Sequence, residues 1–161
     1  MSLSIVILAL VTLERLFELW LSNRNTRRLL AEGAREYGRS HYPLIVAVHG
    51  LWLVALWLLA PGRPIDAFWL AMFVLLELMR IWVLATLGRR WTTRIIVLPD
   101  APLVRRGPYR LVNHPNYIVV IGEIAVLPLV FGLWQVALAF TLVNAAVLAI
   151  RIREENRALG R

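Results

Sequence analysis

The chain has 161 residues, of which 60% are hydrophobic, and its mean hydropathy is +0.67. A chain of this length is too small to bury so large an apolar fraction in a water-soluble core. It contains no cysteine, which excludes disulfides, thiolate metal sites, covalent haem attachment and cysteine nucleophiles. The net charge of +8 comes from arginine alone, and no nucleic-acid partner is expected because these arginines do not form a basic soluble domain with interleaved aromatic residues.

Five stretches are apolar enough to be transmembrane helices, each of which needs about 20 mainly apolar residues. They cover residues 3–21, 42–60, 67–87, 117–131 and 134–150. The last two are short, and a tight turn at residues 131–134 would fold them into a helical hairpin, although one long, tilted or partly re-entrant helix is an alternative. We therefore predict an all-α integral membrane protein with a single domain over residues 1–161. The first stretch lacks the basic start and cleavage site of a secretory signal, so we interpret it as a retained helix.

The arginines predict the orientation, because loops on the cytoplasmic side of a membrane are enriched in positive charge. Outside the predicted spans, every arginine except Arg63 lies in the first long loop (22–41), the second long loop (88–116) or the C-terminal tail. This pattern predicts an N-terminus outside the cell and a C-terminus in the cytosol. The same basic segments would attract anionic membrane lipid.

Ionisable residues inside the predicted spans are few, and each would cost free energy at membrane depth unless it is paired or faces water. Glu14 and Glu18 share one face of the first helix, with Arg15 turned away from them. Glu77 and Arg80 are three residues apart, a spacing at which they could pair within the third helix. These groups either form buried ion pairs that fix the helix register or line a polar cavity that is reached from the cytosol.

Two histidines lie at the start of the second span, His41 before it and His49 about two turns inside. Histidines that sandwich one haem iron would have to come from different helices, so haem is not favoured and no metal site is predicted. His49 is a candidate general base or a group that orients the acceptor.

The second long loop ends in a proline-rich segment that leads into the fourth span. The apolar residues 95–98 and 103–104 flank a turn and predict a short hairpin or an interfacial lid. Asn113 or His114 can cap the next helix, and Pro115 suits its first turn. The unpaired N–H groups of such a helix start suit a carboxylate or a phosphate.

The C-terminal tail continues the last span as a charged helix, on which Arg151 and Glu155 share a face. If the last two spans form an antiparallel hairpin, Glu154 and Glu155 return to the level of His114 and Tyr117. The sequence therefore predicts that the second loop and the tail meet.

Two groups of motifs resemble a known enzyme family. The pattern Gly107-x-Tyr109-Arg110-x-x-x-His114-Pro115-x-Tyr117, followed by a hairpin and Arg151-x-Arg153-Glu154-Glu155, resembles the C-terminal signature of the isoprenylcysteine carboxyl methyltransferase family. The segments Arg15-x-x-Glu18, Ser22-x-Arg24-Asn25, His41-Tyr42-Pro43 and Trp91-Thr92-Thr93-Arg94 resemble its small bacterial branch, which is associated with alkylpyrone and alkylresorcinol O-methylation. Asn113 departs from the eukaryotic branch, in which an arginine usually precedes the His-Pro pair.

The resemblance implies an S-adenosylmethionine-dependent methyltransferase without a Rossmann domain, with its cofactor region in residues 88–161. The cofactor-binding positions that it implies are Gly107, Tyr109, His114, Pro115, Tyr117 and Glu154. It places Arg151 and Glu155 beside the reacting centre, and His49 is a further candidate base. It also implies the inner (plasma) membrane of a bacterium, with the active site facing the cytosol.

The acceptor is expected to be a lipophilic small molecule, because otherwise nothing requires the site to open towards lipid. We therefore expect a hydrophobic tunnel that meets the cofactor pocket near His114. An isoprenylcysteine-type carboxyl methyltransferase, an NADPH-dependent membrane reductase and a non-enzymatic protein that binds lipid or quinone are the alternatives. Five short helices would expose much apolar surface, which is compatible with a homodimer.

Overall fold

Five helices and two short strands make up the computed structural model, which describes residues 2–160. The helices are α1 (Leu3–Ala31), α2 (Tyr42–Leu59), α3 (Ala67–Leu87), α4 (Pro115–Val130) and α5 (Trp134–Leu159). Strand β1 (Arg35–Tyr37) follows α1, and strand β2 (Ile95–Val97) follows α3. Two 3-10 turns, Gly88–Arg90 and Gly107–Arg110, lie in the long connection between α3 and α4.

Three helices, α2, α3 and α5, are long and apolar enough to cross a membrane. The other two differ from them: α4 has only 16 residues, and α1 carries charged residues along its 29. Large apolar side chains face outwards, with Leu58 76% exposed and Leu13 62% exposed. A bilayer would cover this surface, and the chain is an integral membrane protein.

Helix α1 continues beyond the predicted end of its span at Leu21 as far as Ala31. The arginines of this extension are good helix formers, and Arg28 pairs with Glu32 one turn later at 3.2 Å. A helix of 29 residues is about 44 Å long, whereas the hydrocarbon core of a bilayer is about 30 Å thick. Residues 22–31 therefore belong to helix α1 and not to a loop.

Helices α4 and α5 form the predicted hairpin. The chain reverses between them at Gly132, whose φ of +68° suits glycine and whose N–H donates to the Leu129 carbonyl at 3.0 Å. Pro115 occupies the first turn of α4, where its missing N–H costs no hydrogen bond. The alternative of one continuous helix is therefore wrong.

The fold is not purely helical, because β1 pairs antiparallel with β2. Glu36 lies opposite Ile96, and the Glu36 carboxylate accepts a hydrogen bond from Arg94 at 2.8 Å. The predicted hairpin within the second loop is wrong: residues 95–97 pair with the first loop and not with residues 103–104. The two long loops are thereby joined at one end of the helical bundle.

The best-packed apolar core lies at the opposite end of the bundle. It contains the fully buried side chains of Leu8, Leu56, Ile124, Leu127 and Phe131, from α1, α2, α4 and the turn after α4. The end that carries the loops is less densely filled by apolar side chains, and the cavities described below lie there.

Candidate active site

The start of α4 contacts the C-terminal part of α5. His114 Nε2 lies 3.0 Å from Asn156 Oδ1, an oxygen that can only accept, so Nε2 donates in this contact. The Tyr117 hydroxyl donates to the Glu155 carboxylate, and the Tyr117 ring stacks on His114 with centroids 5.3 Å apart. The second loop and the tail meet here, as the sequence predicted.

Arg151 is buried and connects this hairpin to the second loop. Its Nε donates to the Tyr117 hydroxyl at 2.8 Å, and its Nη2 donates to the Thr93 carbonyl at 2.6 Å. Since the same hydroxyl donates to Glu155, hydrogen bonds run from Arg151 through Tyr117 to Glu155. Arg151 therefore reaches Glu155 through the tyrosine.

The first cavity, here called the loop cavity, has a volume of about 180 Å³ and lies between the second loop and the α4–α5 hairpin. Its lining combines the apolar residues of β2 with polar groups of the hairpin and the loop. The polar and aromatic residues of the lining include Arg90, Arg94, Tyr109, Asn113, His114 and Glu155. The mixture suits a ligand with both charged and flat apolar parts.

The second cavity, here called the helix cavity, has a volume of about 250 Å³ and lies among α1, α2, α4 and α5. Most of its lining is apolar, including Leu16, Ile45 and Leu53. His49 also lines it, and His49 Nδ1 lies 2.8 Å from the Ile45 carbonyl oxygen. A carbonyl only accepts, so Nδ1 carries the proton and Nε2 of the neutral ring keeps its lone pair.

Five residues line both cavities and form the shared wall: Trp91, Thr92, Asn116, Tyr117 and Arg151. Among the described residues, the Trp91 indole N–H and the Asn116 side-chain oxygen are buried without a hydrogen-bond partner. A buried polar group without a partner is costly, so water, an ion or a ligand has to supply one here. The polar loop cavity and the apolar helix cavity thus adjoin at Tyr117 and Arg151.

Residues 91–94 hold their part of this wall through contacts with α1 and α2. Asn25 of α1 donates to the Trp91 carbonyl at 2.8 Å, and the Ser22 hydroxyl accepts from the Thr93 N–H at 2.8 Å. Arg94 lies over the Tyr42 ring, 4.5 Å from its centroid. A hydrogen bond to Glu36 raises the pKa of the Arg94 guanidinium, so this group stays charged.

A cluster of charged residues lies beside the helix cavity. Arg80 donates to Glu123 of α4, with Nε at 2.6 Å from the carboxylate, and to Glu18 of α1 at 3.0 Å. Arg15 donates to the same two carboxylates at 3.0 and 2.9 Å and lies 3.6 Å from Glu77. We call this set, with the neighbouring Glu14, the ion cluster.

The predicted pairing of Glu77 with Arg80 within α3 is wrong. Arg80 turns instead towards two buried carboxylates of other helices, where its planar guanidinium makes several charge-assisted hydrogen bonds at once. Arg15, Glu18 and Arg80 also border the helix cavity, but most of its lining is apolar, so it is not the polar cavity that the sequence led us to expect.

The positions implied for cofactor binding do not all lie at the cavities. Tyr109, His114 and Tyr117 line the loop cavity, whereas Gly107, Pro115 and Glu154 are not among the residues that line either cavity. A Cβ at Gly107 would lie 2.6 Å from Thr86 Oγ1, and the φ of Gly107 is +55°, so this glycine permits close packing against α3.

Glu154 lies on another side of α5 from Glu155, because successive helical residues point about 100° apart. Its carboxylate pairs with Arg157 at 2.9 Å. Its role at a cofactor remains a prediction.

Several residues at the site were not predicted for a role there: Trp91, Thr93, Asn116 and Asn156. Residues 91–94 were noted only as part of the family resemblance. No feature of the neighbouring sequence indicates that the Thr93 carbonyl accepts a hydrogen bond from Arg151. Glu123 was also missed, although it carries a signal as the one charged residue in the otherwise apolar α4.

The chain is similar to two bacterial proteins over most of its length. The uncharacterized protein YpbQ of Bacillus subtilis (strain 168) is 37% identical over 160 residues, which cover 96% of this chain and 95% of that protein. An uncharacterized protein of Haemophilus influenzae is 28% identical over 152 residues, covering 91% of this chain and 88% of its own. No solved structure matches the chain.

The family model of the isoprenylcysteine carboxyl methyltransferase (ICMT) family matches residues 69–161, more than half of the chain. The matched region contains the hairpin, residues 91–94 and every residue of the shared wall. Members of this family are membrane methyltransferases. The chain belongs to the isoprenylcysteine carboxyl methyltransferase family.

Proposed function

We propose that this chain is an S-adenosylmethionine-dependent O-methyltransferase that methylates a phenol or enol hydroxyl of a long-chain lipid, of the alkylresorcinol or alkylpyrone type. One observation carries the proposal: a polar cavity and an apolar cavity share the wall formed by residues such as Tyr117 and Arg151. A water-soluble donor in the loop cavity and a lipid acceptor in the helix cavity would both contact these shared residues, which would bring the two molecules together.

Several residues of the loop cavity suit S-adenosylmethionine. Arg90 and Arg94 can hold a carboxylate, and the apolar residues of β2 can cover a flat base. The unsatisfied Trp91 N–H and Asn116 oxygen supply one donor and one acceptor. Aromatic rings such as Tyr117 favour a cationic sulfonium.

When bound, this cofactor supplies an electrophilic methyl group for an in-line displacement. The chain itself would have to orient the acceptor oxygen for this displacement and take up the proton of the acceptor hydroxyl. At the shared wall Arg151 only donates hydrogen bonds, whereas the Tyr117 hydroxyl can also accept. Together they can orient the acceptor oxygen towards the loop cavity.

A phenolic acceptor has a pKa near 10, as tyrosine does, and therefore gains from a base. His49 lines the helix cavity with the Nε2 lone pair of its neutral ring unprotonated, which suits a base on the acceptor side. Glu155 can take a proton through the Tyr117 hydroxyl, to which it is already hydrogen-bonded.

The family name supports a second acceptor class, a carboxylate such as that of a prenylated cysteine. A carboxylate is already ionised at neutral pH and needs no base, whereas Arg151 could hold it. The presence of His49 in the apolar cavity favours the phenol or enol. The family match disfavours the reductase and non-enzymatic alternatives.

We further propose that the N-terminus lies outside and the loop cavity faces the cytosol of a bacterial plasma membrane. The arginine distribution supports this orientation, because both long loops and the tail lie at one end of the bundle.

Calorimetric titration of the detergent-solubilised protein with S-adenosylmethionine and with NADPH tests the reaction class. We expect saturable binding of S-adenosylmethionine only. Binding of NADPH instead would favour a reductase, and binding of neither would contradict a methyltransferase.

A further inference from the structure

Gly50, in the middle of α2, is a glycine whose presence no local requirement explains. Of the nine glycines in the chain, seven have a positive φ, which favours glycine at turns and helix ends: Gly33, Gly38, Gly62, Gly88, Gly107, Gly132 and Gly160. Gly122 lies against Leu76, and a Cβ there would be 2.6 Å from that side chain. Gly50 has neither a positive φ nor a close neighbour that would exclude a Cβ.

The helix loses stability by carrying glycine at this place, because glycine is less favourable than alanine in a helix interior. A Cβ at Gly50 would have no described atom within 4 Å outside its immediate chain neighbours and the backbone of its own helix. The space beside Gly50 is therefore left open by the folded chain.

This open space belongs to the edge of the helix cavity, which Gly50 lines. Leu16 and Leu19 of α1 and Val46 of α2 also line the cavity and are exposed, Leu16 to 59%. The cavity thus reaches the lipid-facing surface between α1 and α2. At its other end it reaches Arg151 and Tyr117.

The chemistry of the lining identifies the occupant. An acceptor with its hydroxyl at the shared wall must place its hydrocarbon chain along the apolar side of the same cavity, and the surface at α1 and α2 is itself apolar. A water-soluble ligand would gain nothing from an outlet into lipid.

We propose that the acceptor's hydrocarbon chain passes into the bilayer between α1 and α2. The absence of a side chain at Gly50 determines how bulky a hydrocarbon chain can pass. This inference rests on the proposed function and makes Gly50 a specificity-determining residue.

The test is a graded series, Gly50→Ala, Gly50→Leu and Gly50→Phe, assayed with two acceptors that share one ring. One acceptor is orcinol, which carries only a methyl group, and the other is a long-chain alkylresorcinol. We expect Gly50→Phe to raise KM for the long-chain acceptor about tenfold, equivalent to about 1.4 kcal/mol, and to change KM for orcinol less than about twofold. Gly50→Ala should behave like the wild type.

The matched control is Ala47→Phe, which adds the same side chain at an exposed position of α2 that does not line the cavity. Calorimetric binding of S-adenosylmethionine verifies that each variant is folded. Equal KM changes for both acceptors, or no change for either, would overturn the role of Gly50 while leaving the methyltransferase intact. Failure of the wild type to methylate either acceptor would overturn the proposed function and this inference with it.

Discussion

Tyr117 is the residue at which the two halves of the proposed reaction meet. Its hydroxyl accepts from Arg151 and donates to Glu155, and its ring stacks on His114. A hydroxyl that both donates and accepts can move a proton without moving its heavy atoms. The residue thus links the shared wall to a carboxylate in the loop cavity.

Adjacent carboxylates on α5 allow a matched comparison. Glu155→Gln keeps the shape of the side chain but removes the charge that accepts from Tyr117, so we expect turnover to fall about a hundredfold, with S-adenosylmethionine binding largely retained. Single-turnover kinetics and calorimetry measure the two effects separately.

Glu154→Gln is the control for this substitution, since Glu154 pairs with the exposed Arg157 away from both cavities. Its turnover and cofactor affinity should stay within about twofold of the wild type, as is usual for an exposed ion pair. Weaker cofactor binding in Glu154→Gln would support the cofactor role that the family resemblance implies for Glu154. Unchanged turnover in Glu155→Gln would contradict the role of Glu155 at the reacting centre.

His49 discriminates the two acceptor classes. A base acts in its unprotonated form, so turnover with a phenol should rise with pH as the imidazole loses its proton. His49→Gln should lower that turnover about a hundredfold and remove the acidic limb of the pH profile. The same variant should leave methylation of a carboxylate acceptor unchanged.

His41→Gln is the matched control, because His41 precedes α2 and lines neither cavity. An unaltered pH profile in His49→Gln would eliminate this histidine as the base and would leave Glu155 as the candidate.

At the scale of elements, the ion cluster joins α1, α3 and α4 beside the helix cavity. Arg80 and Glu123 are both almost completely buried, with side-chain exposures of 5% and 3%. Removing Arg80 leaves Arg15 alone to pair with both Glu18 and Glu123, so buried negative charge stays uncompensated, which costs about 3–5 kcal/mol. The cluster therefore fixes how these three helices pack.

Arg80→Met tests this account, because methionine fills much of the same volume without the charge. We expect a loss of about 3–5 kcal/mol, measured as a lower midpoint of thermal unfolding in detergent. Arg63→Met, at an exposed arginine whose Nε donates to the Leu59 carbonyl, should shift the midpoint little. The double variant Arg80→Met/Glu123→Met should be less destabilised than Arg80→Met alone. Equal midpoints for Arg80→Met and Arg63→Met would contradict the account.

The helices could be predicted from sequence because long runs of apolar residues are typical of membrane helices, and Gly132 marks the reversal between α4 and α5. The pairing of β1 with β2 could not, since strands of three residues carry little signal and join two distant loops. The partners of Arg80 could not be predicted from sequence spacing either. Glu77 is the nearer acid in sequence, but the fold brings Glu18 and Glu123 closer to Arg80.

At the scale of the whole molecule, the protein separates its polar and apolar chemistry between two cavities with one common wall. The motif order predicted that the second loop and the tail meet, and it named Tyr117, Arg151 and Glu155. The contribution of α1 to the wall, through Asn25 and Ser22, depends on long-range hydrogen bonds that no sequence spacing encodes. The fold and the hairpin side of the site were thus predictable, whereas the opposite side was not.

Methylation of a lipid hydroxyl can be tested directly by incubating membranes that contain the protein with methyl-labelled S-adenosylmethionine and a long-chain alkylresorcinol or alkylpyrone. The labelled lipid is then identified by mass spectrometry. We expect a labelled methyl ether, whose rate of formation should fall about a hundredfold with Glu155→Gln. A labelled methyl ester in place of the ether, or no labelled lipid from protein that binds the cofactor, would contradict the proposed function.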